Sequence, residues 1–216
     1  MSSPTEALTQ ADARLLNWRF VVPGEPHGLL LLPIAGESVP GAVVPERGSG
    51  ELTEVLRAGP YPAIVAPDLG AWAEVAQEGS RELLERLGAS VAPGGWLYVG
   101  FGNAAYPGRR SRAGSMLPGA ARRAMRAAGL RELEGYLAFP GASCPAFLVS
   151  TDGAAPLDYF LERLSFPPPP EHDHSGASGG GSPRRLALLL RAARLAPHRA
   201  RVAFAPGVAL VGRRPA

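Results

Sequence analysis

Asp68, in AIVAPDLG, follows a short apolar run that reads as a buried strand, and open α/β sheets place their ligands at the carboxyl ends of such strands. The same carboxylate, one residue ahead of a helix, would instead accept hydrogen bonds from the first free N–H groups as a cap. Asn103, in GFGNAAY, stands past the end of another strand, on the ligand side or simply in a turn. His27 precedes the first strand, where a lone histidine serves more often at the surface than as a base. His172, Asp173 and His174 are metal-ligand types, but they adjoin GASGGGS, and a metal site needs ligands held in fixed geometry, so no metal site is expected. Cys144 has no His and Asp at the spacing of a nucleophilic enzyme. No catalytic residue is assigned from these types alone.

The totals narrow the class. At 216 residues the chain fits one medium domain. All 22 basic residues are arginines and lysine is absent, which together with 27 Gly and 23 Pro reads as the codon bias of a GC-rich genome rather than as function. Charge is uneven: residues 1–100 hold 12 acids and 6 arginines, residues 101–216 hold 7 acids and 16 arginines. A single cysteine excludes an intrachain disulfide scaffold. No apolar run approaches the ~18 residues of a membrane span and the N-terminus lacks a signal-like core, so the chain is expected to be cytoplasmic.

The elements that would position these residues alternate between helices and strands. The apolar patch Trp18, Phe20, Val21 and Val22 ends an N-terminal extension over 1–28, in which 5–16 reads as a short helix. The four leucines of HGLLLLPIAG form a run closed by turn formers, which suits a strand buried on both faces of a parallel sheet. GAVVPE is a second apolar piece. A helix over 49–58 follows, with Ser49 as its cap, then a strand over 63–66, a weak helix over 71–77, and a helix capped by Ser80 with Leu83, Leu84, Leu87 and Val91 on one stripe.

Pro-Gly-Gly at 93–95 reads as a turn into a strand over 96–101. After a loop carrying Arg109, Arg110 and Arg112, a helix starts at Pro118 with Leu117, Ala121, Ala124, Met125 and Ala128 inward and Arg122, Arg123 and Arg126 outward. A strand over 132–139 and a helix over 157–164 come next. Residues 167–183 form a Pro/Gly/Ser-rich insertion unsuited to a packed core. A basic amphipathic helix over 184–195 and a closing strand over 208–211 complete the chain, so the α/β domain comprises 29–166 and 184–216.

The succession LLERLGASVAPGGWLYVG, a helix ending in AAGL, a strand, and a late ALVGRR resembles the second half of the class I S-adenosylmethionine-dependent methyltransferases. The tract GYLAFPGASCPAFLVSTD is also similar to a subgroup found in bacterial biosynthetic gene clusters. The resemblance implies a Rossmann-like α/β fold: a mostly parallel sheet with an antiparallel closing edge. It also implies S-adenosylmethionine as cofactor, with Gly36, Glu46 and Asp68 around it.

The first half departs from the family. Where the family has a glycine-rich turn after its first strand, so that backbone can approach the cofactor, this chain has LLLLPIAGESVPG, with Pro33 and Ala35 near the expected glycines. Glu46 is the one candidate for the acid on the ribose hydroxyls, yet it lies ten positions after Gly36, too close for a crossover helix with its turns. At least one βα unit is missing between Leu32 and Ile64. Two readings follow. One is a degenerate, non-catalytic partner or scaffold in a bacterial biosynthetic pathway, contacting an enzyme or peptide through the basic second half. The other is an active O- or N-methyltransferase on a small metabolite or peptide. Nucleic acid is not an expected partner, because no aromatic residues interleave the arginines of 184–201.

Overall fold

The computed structural model describes residues 13–22, 27–34, 39–46, 48–107, 114–163, 200 and 202–216. Its strands are β1 (Leu30–Leu31), β2 (Tyr61–Ala66), β3 (Val91–Asn103), β4 (Ser115–Met116), β5 (Arg131–Phe139), β6 (Phe147–Ser150) and β7 (Gly207–Arg213). Its α-helices are α1 (Ser49–Ala58), α2 (Leu69–Ala76), α3 (Ser80–Ala89), α4 (Pro118–Ala127) and α5 (Ala155–Arg163). Short 3-10 turns span Ala13–Phe20 and Val202–Phe204.

The strands form one sheet in the order β1-β2-β3-β7-β5-β6, with β4 paired to the far end of β3. Neighbours from β1 to β3 are parallel. The last strand of the chain, β7, inserts antiparallel between β3 and β5. This is a Rossmann-like, mostly parallel sheet with an antiparallel closing edge. The same register that lengthens the closing strand to Gly207–Arg213 sets the direction of β5, which must run with β3 because both oppose β7.

The uninterrupted leucine run is buried on both faces. Leu30 and Leu32 join one core with Ile64, Leu97, Val99 and Phe101 beneath the helices, through Leu52, Leu84, Met125 and Phe160. Leu29 and Leu31 join the opposite core with Ala63, Val65, Trp96 and Tyr98, to which Trp18 and Val22 add their side chains. Alternation along a strand makes this division compulsory. Truncating one of the fully buried leucines would cost about 2–5 kcal/mol.

GAVVPE proves to be a strand reduced to a single bridge. Val43 pairs parallel with Leu30, its carbonyl accepting from the Leu31 N–H at 2.9 Å and its own N–H donating to the Leu29 carbonyl at 2.8 Å. Only residues 33–42 separate the two, fewer than a crossover helix with its turns needs, and 35–38 of them lie outside the described residues.

Four local expectations need correction. Pro-Gly-Gly does not separate helix from strand: β3 already begins at Val91, and 93–95 bulge within its pairing, between the Tyr61↔Val91 and Ala63↔Trp96 partners. Gly95 is required there, since a Cβ would lie 2.6 Å from the Pro62 carbonyl oxygen. Neither Ser49 nor Ser80 caps a helix; the caps are Gly48 and Gly79, with no side-chain hydrogen bond, and Glu51 instead accepts from the Glu46 N–H before the helix at 2.8 Å. Leu117 is 53% exposed, because it precedes α4 instead of lying on its inner stripe. Arg122 is not on a solvated face: it donates to the Leu133 carbonyl at 3.0 Å and to Thr151 Oγ1 at 3.3 Å, fastening α4 to β5. The expected helix over 184–195, the insertion at 167–183 and the arginine loop at 109–112 lie outside the described residues.

Candidate functional site

Parallel strands deliver their carboxyl ends to one edge of the sheet, and this edge gathers Pro33 after β1, Glu46 after the Val43 bridge, Asp68 after β2 and Asn103 at the end of β3. The side chains of Asp68 and Asn103 there have definable tasks.

Asp68 is the N-cap of α2: its Oδ1 accepts from the Ala71 N–H at 3.0 Å. Glu46 is exposed at the end of the residual strand, with its backbone N–H already held by Glu51. Gly36 lies outside the described residues, as do His172, Asp173 and His174. Among the described residues no three His, Cys, Asp or Glu side chains cluster to hold a metal ion. His27 is exposed and Cys144 half-buried.

Asn103 is 0% exposed and fully committed to structure. Its Nδ2 donates to the carbonyls of Val202 at 3.0 Å and Ala205 at 2.9 Å, while its Oδ1 accepts from the Ala105 N–H at 3.0 Å. The amide therefore pins the 202–205 turn, and with it the start of β7, to the end of β3. The Tyr106 N–H donates to the Asn103 carbonyl at 3.1 Å, and burial raises the Tyr106 phenol above the ordinary value.

Sequence reasoning missed the residue that dominates the edge. Trp72, 1% exposed, projects from the first turn of α2 and donates its indole Nε1–H to the Pro33 carbonyl at 3.0 Å. Pro33 is the first residue after the buried leucines, the place that the family resemblance gives to a glycine turn. The signal was present as a tryptophan four positions after the capping Asp68, which puts it one helical turn in, over the strand ends. What could not be read was its partner.

The backbone closes the neighbouring space. A Cβ on Gly114 would lie 2.3 Å from the Gly70 Cα, so the strand that carries β4 presses directly on the start of α2 beside Asp68. Gly114 also adopts φ 91°, which favours glycine. A Cβ on Gly100 would lie 2.3 Å from the Pro67 carbonyl oxygen. Two surface grooves lie elsewhere. One runs along β6 and α5, and the other lies between α1 and α3 and is lined by Thr53, Leu56, Arg57, Arg86, Ala89 and Ser90. In the second, Arg86 is bound to Glu78 at 2.7 Å and to Thr53 Oγ1 at 3.3 Å.

No protein-family model and no curated protein matches the chain. Among solved structures it is similar to an S-adenosylmethionine-dependent methyltransferase, a possible histamine N-methyltransferase, of Thermotoga maritima. The likeness has 12% identity and a TM-score of 0.38, and covers 94% of this chain and 87% of that one. Two chains this far apart can share an arrangement of strands without sharing a site. Among the described residues no helix is long and apolar enough to cross a membrane.

Proposed function

We propose that this chain is a methyltransferase-like protein that transfers no methyl group and serves as a non-catalytic partner or scaffold for an enzyme of a bacterial biosynthetic pathway. The observation that carries this reading is the bond from Trp72 to the Pro33 carbonyl. A class I site needs a turn after the first strand whose backbone is free to approach the cofactor. Here the first carbonyl of that turn is engaged by a buried indole, and only residues 34–42 separate it from Val43. Asp68 and Asn103, at the same edge, are occupied as a helix cap and a loop anchor. These residues do not fit the cofactor that the resemblance implies, and no methyl-transfer step is derived from them.

One feature favours the alternative, an active O- or N-methyltransferase on a small metabolite or peptide: Glu46 stands exposed at the end of a residual second strand, the place of the ribose acid. Calorimetry and thermal melting of the full chain with S-adenosylmethionine and its demethylated product separate the two. A ligand at one hundred times its Kd stabilises a protein by about 2.7 kcal/mol, which raises Tm by several degrees. The expected result at millimolar ligand is no binding heat and no rise in Tm, with co-purification of an enzyme encoded nearby. A clear rise would overturn the non-catalytic reading and put Glu46 in the site.

A further inference from the structure

We propose that this chain associates with a second copy of itself about a twofold axis, the two β6 strands pairing antiparallel across it to join the two sheets into one. This rests on the far edge of the sheet and is independent of the carboxyl-edge reading above. β6 is the last strand in the order and, among the described residues, pairs only with β5. The Thr151 N–H donates to the Gly135 carbonyl at 2.8 Å on the β5 side. Because an antiparallel ladder turns alternate residues inward and outward, the N–H and C=O groups of Leu148 and Ser150 point away from β5.

The outward groups specify another strand as the occupant. A twofold axis through Val149 sets Leu148 opposite Ser150 of the partner subunit, and Ser150 opposite Leu148 of the partner subunit. Each pair exchanges both of its main-chain bonds, and none of these outward groups is left over. FLVS is only four residues long, but it contains no charge, no proline and no bulge to oppose another strand.

The groove along this edge, about 590 Å³, is walled by the 3-10 turn through Asn17, Phe20 and Val21 on one side and by Tyr159 of α5 on the other. None of its lining residues is charged. That neutrality favours a second copy, because a twofold contact brings each residue near its own counterpart and like charges would repel. Phe20 is 87% and Tyr159 67% exposed, protruding at the rim where each can enter the other copy's groove. Together they add roughly 300 Å² of apolar surface to the paired strands, against the roughly 800 Å² that each partner of a standard interface buries, so the contact is a small one.

The test measures mass by light scattering at micromolar concentration and amide exchange of the full chain. The wild type is expected at about 45 kDa, twice the 22.5 kDa of one chain. Its Leu148 and Ser150 amides should exchange at least tenfold more slowly than in the monomer. The pair Phe20→Ser, Tyr159→Ser changes exposed side chains only, and should give a 22.5 kDa species with unchanged far-ultraviolet circular dichroism and fast amides at both positions. Ser150→Pro, which deletes one outward N–H from an edge position, should give the same mass. A wild type that stays monomeric overturns the proposal, whether its β6 amides are fast or are covered by its own chain or an added peptide. So does a dimer that survives these substitutions. Neither mass nor exchange depends on the cofactor, so failure here leaves the carboxyl-edge reading where it stands.

Discussion

β3 and β7 pair over seven consecutive residues, whereas β1 pairs β2 over two and the strand beyond it survives as the Val43 bridge. The two sides of one sheet are thus held differently. The closing side relies on long ladders, and Asn103, buried there, ties the entry to β7 to the end of β3. The β1 side has little ladder and relies on packing: the leucines on both faces, with Trp72 above their exit. A sheet edge can lose hydrogen-bonded length and remain ordered when its side chains are fully buried, since burial contributes about 25 cal/mol per Å² whatever the ladder does.

Removing the packing on the β1 side should break this comparison most severely. Trp72→Ala deletes a fully buried indole and frees the Pro33 carbonyl, so a loss of about 3–5 kcal/mol is expected in urea unfolding. Trp72→Phe, which keeps most of the volume, should lose much less; equal losses would show that the hydrogen bond, and not packing, holds the edge.

On the closing side, Asn103→Ala leaves the Val202 and Ala205 carbonyls without their donor, and about 1–3 kcal/mol is expected. Amide exchange should quicken around 202–206 while β1 stays protected. Quickening at β1 as well would mean that the two sides do not behave separately.

The smallest effect is expected where the sides share only a helix start. Asp68→Ala should cost about 1 kcal/mol as a lost cap, and Asp68→Asn should restore nearly all of it, because Asn caps as well as Asp. If the asparagine variant recovers stability but alters a measurable ligand response, Asp68 is more than a cap.

The strands at 29–32, 63–66, 96–101, 132–139 and 208–211 and the helices at 49–58 and 118–127 were legible because their signals are local. A buried run, a one-sided stripe and a proline at the first helical position each act within a few residues. The compression between Leu32 and Ile64 was legible as well, since it is a matter of chain length. Ser49 and Ser80 misled because a preferred cap residue and a neighbouring glycine compete for the same position, and in each case the glycine lies one residue earlier. The short strands β4 and β6 carried too few residues to announce themselves.

Sequence by itself determined that this chain alternates helices and strands around buried apolar runs with little chain between Leu32 and Ile64, and the antiparallel close followed from its resemblance to a known family. Tertiary structure alone decided what becomes of the polar and aromatic groups at the carboxyl edge. Trp72 meets Pro33 across 39 positions and Asn103 meets Ala205 across 102, and no local pattern encodes either pairing. Which buried donor finds which carbonyl depends on strand order and register, and these are fixed only when the whole core closes.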